Sequence, residues 1–306
     1  MEYLKLIIRS DYKKNSIFQQ ILEKNQNCWK KFNSSDDVLK WLRNFSNEKE
    51  IHLALVLANN ILYYTLDEIR YLWNLILTNR VKLSLLNETF AKETPASIEK
   101  WFQEYLRSRC VFVGYGKAGK SGQSMVYTFK QSQTIRDLVY MELFELLQYS
   151  EKTIDKDIIF LLDDFVGSGD QATKEWQKEK NGKSLASVSK KNPHLKFVYL
   201  ALVGCKEGRE AIERNTPMKV ILGEELDERF KCFSNVSQIY KESSERVEAE
   251  KVMLEKGRML YPEHPLGYGN MQLAIAFCHN TPNDSLPVIW KRMQDGSWWP
   301  LFERFE

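Results

Sequence analysis

The sequence predicts an α/β protein built on a parallel sheet, and three observations carry that expectation. Residues 158–162 (IIFLL) form an unbroken apolar run, and residues 197–203 (FVYLALV) form a second, as strands buried on both faces require. Helical segments alternate with these runs at residues 98–106, at 136–149 and in EGREAIER, residues 207–214. Residues 110–113 make a shorter apolar strand that ends in a glycine-rich loop.

The flanking stretches divide the chain into three parts. Residues 1–95 read as helical: Ser34 to Asp37 supply a polar helix start, followed by Val38, Leu39, Trp41, Leu42 and Phe45 at helical spacing. Thr65 and Glu68 form a capping box ahead of Ile69, Leu72, Trp73, Ile76 and Leu77. This part has no nucleophile or metal pattern and suits scaffolding or partner contact. Residues 96–245 form the α/β core, with residues 174–191 as a polar, lysine-rich surface excursion. Residues 246–306 begin within a charged helix and end in a tail rich in Pro, Asn and Trp. Trp290, Trp298 and Trp299 imply that this tail docks on the body.

Bulk properties exclude several classes. With 44 basic and 41 acidic residues, a net charge of +3 gives no field strong enough to argue for nucleic-acid or membrane binding. The five cysteines are dispersed without a C-x-x-C pair, which argues against a disulfide framework or zinc cluster and for a reducing compartment. Residues 51–64, the longest apolar run, contain His52, Asn59 and Asn60 and fall short of a bilayer span. The first residues lack a signal-peptide core and cleavage site. A cytoplasmic protein without a membrane partner is expected.

GYGKAGKS, residues 114–121, satisfies two fingerprints at once: G-x-x-x-x-G-K-[ST] and G-x-G-x-x-G. Both require a helix after the loop. Met125, Tyr127 and Phe129 alternate with Val126 and Thr128, which predicts a strand there and counts against both. Glycines beside Lys117 and Lys120 still suit a phosphate, and a surface hairpin fits the same residues.

The stronger signal is IIFLLDDFVGSGDQA, residues 158–172. A buried strand delivers Asp163 and Asp164 at its carboxyl end, where open α/β sheets bind ligands. Gly167, Ser168 and Gly169 then lead into a helix from Asp170, and such a start suits a phosphate monoester. The paired carboxylates can accept hydrogen bonds from vicinal ribose hydroxyls. An N-capping aspartate with a tight turn is the plainer reading, but it leaves the second carboxylate unexplained.

This stretch resembles the ribose-5-phosphate signature of type I phosphoribosyltransferases: an apolar strand, two acidic residues, two apolar residues and a Thr/Ser-Gly loop. The resemblance implies that Asp163 and Asp164 hold the ribose hydroxyls while Gly167, Ser168, Gly169, Asp170 and Gln171 wrap the 5-phosphate. Gly167 and Gln171 stand where that family usually has threonine. Residues 114–122 lie where such enzymes place a pyrophosphate loop. The tail, GYGNMQLAIAFCHNTPNDSLPVIW with a closing WPLFER, looks like that of a divergent phosphoribosyltransferase-like family of bacterial anti-phage conflict systems, some of them retrons. That resemblance implies a toxic effector held in check by partners, such as a retron reverse transcriptase with its nucleic acid.

The expected chemistry is bond-making or bond-breaking at C1 of a phosphorylated ribosyl substrate or nucleotide, with Mg²⁺. Lys117, Lys120 and Ser121 would stabilise the leaving group. His279, Asn280 and Asn283 would contact a base or act as general acid, although a plain turn explains His279 as well. Two alternatives stand beside this one. A catalytically silent nucleotide sensor or docking subunit fits the missing threonines, and a P-loop ATPase would use residues 161–164 as its acidic strand.

Overall fold

The protein is described here by a computed structural model covering residues 15–89, 95–115 and 122–305. Its residues cluster into two compact units, 1–66 with 227–306 and 67–226. The helical N-terminal stretch and the tail, separate parts in the sequence reading, therefore fall largely in one unit.

The first unit opens with helices α1 (Ser16–Lys24), α2 (Ser35–Leu42) and α3 (Glu48–Asn59), then the short strand β1 (Leu62–Tyr64). The helix-start signal holds: Ser34 accepts a hydrogen bond from the Asp36 amide at 3.2 Å, leaving Val38, Leu39, Trp41 and Leu42 buried.

In the second unit, helices α4 (Leu66–Leu75, entered from Asp67), α5 (Lys82–Thr89) and α6 (Pro95–Arg109) lead to β2 (Cys110–Gly114). There follow α7 (Gly122–Ser132), β3 (Tyr140–Met141), α8 (Leu143–Leu147), β4 (Ile158–Val166) and α9 (Asp170–Gln177). Helix α10 (Leu185–Lys191), β5 (Lys196–Cys205), α11 (Lys206–Asn215) and β6 (Lys219–Leu226) complete it. The strands form one five-stranded, all-parallel sheet in the order β3-β2-β4-β5-β6. The two apolar runs become the adjacent central strands β4 and β5, which explains their uniform hydrophobicity: helices cover both faces.

The chain then re-enters the first unit through α12 (Ser243–Leu260), β7 (Ile275–Phe277) and α13 (Pro287–Trp290). Strand β7 pairs in parallel with β1, joining tail to N-terminal stretch. One carbonyl, that of Val288, accepts from both the Trp41 indole at 2.7 Å and the Trp298 indole at 3.3 Å. The tail is thus part of this unit's core. Trp290 and Trp298 are buried, whereas Trp299 is 43% exposed, with the Arg292 guanidinium 4.4 Å from its ring centroid.

Three expectations are overturned. Residues 122–132 form a helix rather than a strand: Met125, Thr128 and Phe129 are buried while Tyr127 is exposed. Positions 125 and 129 satisfy both periods, and Tyr127 is the residue that tells them apart. Residues 136–149 are not one helix. Asp137 takes a left-handed φ of 62°, and Tyr140 and Met141 pair with β2 before α8 begins. The lysine-rich stretch after Thr173 is largely structured: Trp176 meets Phe197 edge-on at 4.9 Å, and Ser184 caps α10 over buried Leu185 and Val188.

Candidate functional site

Asp163 and Asp164 lie inside β4, which runs on to Val166 rather than ending at residue 162. Strand β2 has already finished opposite Leu162, and the amide of Tyr115 closes that edge on the Leu162 carbonyl at 2.8 Å. The acidic pair therefore sits at the carboxyl end of the central strand, beyond the reach of its β2 neighbour.

The two carboxylates differ. Asp163 is 3% exposed and its oxygens are both occupied: Oδ2 accepts from the Tyr199 hydroxyl at 2.6 Å, Oδ1 from the Asp164 amide at 2.9 Å. Burial first, and the neighbouring Asp164 charge second, push its carboxyl well above the ordinary range, and the Tyr199 bond pulls it part of the way back. Burial and the same carboxylate raise Tyr199 in turn. Asp164 is only half-buried.

Gly167, Ser168 and Gly169 make the turn into α9. Gly169 caps the helix with a φ of 82°, and a Cβ there would meet the Gly208 carbonyl at 2.6 Å. Its own carbonyl accepts from the amide and the hydroxyl of Thr173, both at 3.0 Å. Ser168 Oγ accepts from the Asp170 amide at 3.3 Å. Asp170 and Gln171 stand exposed in the first turn. Tyr115 braces the turn from beneath: its hydroxyl donates to the Ala172 carbonyl at 2.7 Å, and its ring stands edge-on to Tyr199 at 5.2 Å. A strand, an acidic pair, a tight glycine turn and a helix start can together hold a phosphate and a polyol.

Lys117, Lys120 and Ser121 lie outside the described residues. What flanks them, β2 before and α7 after, removes the objection that no helix follows the loop. His279, Asn280 and Asn283 belong to the other unit. Asn280 is a clamp on the tail: its Oδ1 accepts from the amides of Thr281 and Phe305 at 2.9 and 3.0 Å, and its Nδ2 donates to the Phe305 carbonyl at 3.1 Å. Asn283 is hydrogen-bonded to Tyr261, and His279 lies tilted against Phe277 at 5.4 Å.

Sequence reasoning missed Tyr115, Tyr199 and Gly208. Tyr199 left a trace, since one hydroxyl inside an otherwise apolar strand needs a buried partner.

The sheet and this turn place the second unit among α/β proteins with a phosphoribosyltransferase-like core. The PRTase-CE family model matches residues 38–304, and the chain belongs to that family. The match spans the central motif and the tail together. No curated protein matches. Among solved structures, the AQ2163 protein from Aquifex aeolicus is similar at 15% identity, covering 60% of this chain and 86% of that one with a TM-score of 0.32. Orotate phosphoribosyltransferase from Aeropyrum pernix is similar at 15% identity, covering 49% and 72% with a TM-score of 0.24. At these scores neither bears on the site's chemistry. Among the described residues no helix is long and apolar enough to cross a membrane.

Proposed function

We propose that the β4–α9 turn binds a phosphorylated ribosyl group, with the 5-phosphate on Gly167–Gly169 and the ribose hydroxyls at the acidic pair, and that the chemistry falls on the ribose C1 bond. The observation that carries this reading is the acidic pair at the carboxyl end of the central strand, three residues ahead of a glycine turn that opens a helix. Bond cleavage at C1 leaves negative charge on the departing pyrophosphate or base, and Lys117 and Lys120 are the cations assigned to meet it. The wider reading, an effector of a bacterial anti-phage system such as a retron, rests on the resemblance of the tail.

Mg²⁺ fits this proposal in one way. No cluster of three ligating side chains occurs among the described residues, and both Asp163 oxygens are engaged. Asp164 would hold the ion together with substrate oxygens and water, an arrangement common for Mg²⁺. Bound there, the ion would neutralise charge on the leaving group.

A second reading, a catalytically silent ligand sensor, is favoured by one observation: Asp163 is committed to Tyr199 and to the Asp164 amide, so one carboxylate of the acidic pair is tied into the fold. Isothermal titration with phosphoribosyl pyrophosphate, nucleoside monophosphates and ATP, followed by product analysis, separates the two. Binding with turnover supports the enzyme and binding without turnover supports the sensor. Selective ATP binding with hydrolysis would overturn both.

A further inference from the structure

We propose that Asp163 is a positioning residue: held by Tyr199, its carboxyl fixes the backbone at Asp164, and Asp164 is the carboxylate that meets the ribosyl group. This rests on the ribosyl-phosphate reading above and assigns unequal roles within the acidic pair.

Two hydrogen bonds at the open edge of β4 carry the argument. β4 keeps one register against β5 on either side of Asp164, at Asp163–Ala201 and Phe165–Val203, and β5 keeps one against β6 at Ala201–Leu222 and Val203–Glu224, so no bulge re-aims Asp164. On the other side β2 has ended opposite Leu162, which leaves the strand edge at Asp164 without a ladder partner from β2.

At Asp164 the ladder is replaced by a side chain. Its amide donates to Asp163 Oδ1, and Asp163 is anchored through Oδ2 to Tyr199 on β5. The charged or titratable groups facing Asp163 are Tyr199, Asp164 and Tyr115. The Tyr115 hydroxyl is taken by Ala172, which leaves Tyr199 to hold the carboxyl. A ribose hydroxyl reaching Asp163 would have to displace one of two buried hydrogen bonds, a costly exchange where water is excluded. Asp164 is only half-buried, so an exchange of partners there takes place within reach of water.

The test uses the full chain and titrates ribose 5-phosphate and inorganic phosphate separately. Tyr199→Phe should bind ribose 5-phosphate roughly tenfold more weakly, the scale of one hydrogen bond to a charged group. Asp164→Asn should abolish that binding. Both variants should bind inorganic phosphate like the parent, because that probe needs only the turn. Unchanged ribose 5-phosphate affinity in Tyr199→Phe would overturn the proposal while leaving the function intact. A parent that binds phosphate but not ribose 5-phosphate would instead overturn the function itself, and the ligand role of Asp164 with it. Without ligand, hydrogen exchange at the Asp164 amide should be faster in Tyr199→Phe than in the parent, and unchanged exchange would sink the Tyr199 link. Should Tyr199→Phe fail to fold, faster hydrogen exchange at the Asp164 amide in Asp163→Ala carries the test, and unchanged exchange refutes it.

Discussion

A Cβ on Gly208 would lie 2.0 Å from the carbonyl oxygen of Gly167. The first turn of α11 and the turn into α9 are therefore packed backbone to backbone, and the glycine turn owes its shape to a residue 41 positions away in sequence. Gly208→Ala must push one backbone segment off the other. Such overpacking typically costs about 1–3 kcal/mol, so the variant should melt several degrees lower and lose inorganic phosphate binding first. Parent-like melting and binding would show that the turn adapts.

Asp163 makes stability depend on pH in a direction opposite to that of a salt-bridged aspartate. Its folded carboxyl titrates well above the ordinary value of 3.8, so between these two values the folded chain holds a proton that the unfolded chain has lost. Stability is therefore highest below the unfolded value and falls as pH rises through the folded one. Asp163→Asn cannot ionise. Melting curves from about pH 4 to about pH 8 should show the variant gaining on the parent as pH rises. Parallel curves would place the proton elsewhere.

Lys120 separates the ribosyl reading from a phosphate-loop ATPase. With a strand before the loop and a helix after it, the flanks no longer exclude ATP, and what separates the two readings is a measurement on Lys120. Lys120→Ala should weaken binding of phosphoribosyl pyrophosphate, and the parent should hydrolyse no ATP. Hydrolysis that vanishes in the variant would overturn the proposed function.

The tail tryptophans should differ sharply. Trp298 is 4% exposed and bonded to the Val288 carbonyl, so Trp298→Ala should cost about 3–5 kcal/mol and threaten folding. Trp299 is 43% exposed, and Trp299→Ala should cost under about 1 kcal/mol. Thermal melts compare the two directly, and equal losses would mean that the Arg292 stack matters as much as burial.

The sequence by itself determined the central strands and the helix that follows the acidic pair. These features are local: an apolar run long enough for a strand, a turn of small residues and a polar helix start each lie within one short stretch. It also located the acidic pair, because two adjacent carboxylates closing the apolar start of a strand are visible without coordinates. Residues 122–132 form a helix where alternation predicts a strand, because Met125 and Phe129, four apart, obey both periods, and only packing shows that Tyr127 faces outward. Residues 136–149 were misread because the pairing partner of Tyr140 and Met141 is β2, a segment nearly thirty residues upstream. Tertiary structure alone decided that Asp163 and Asp164 are unequal. That difference depends on a hydroxyl from β5 and on the early end of β2 opposite Leu162, and neither is encoded in the spacing of the two residues themselves.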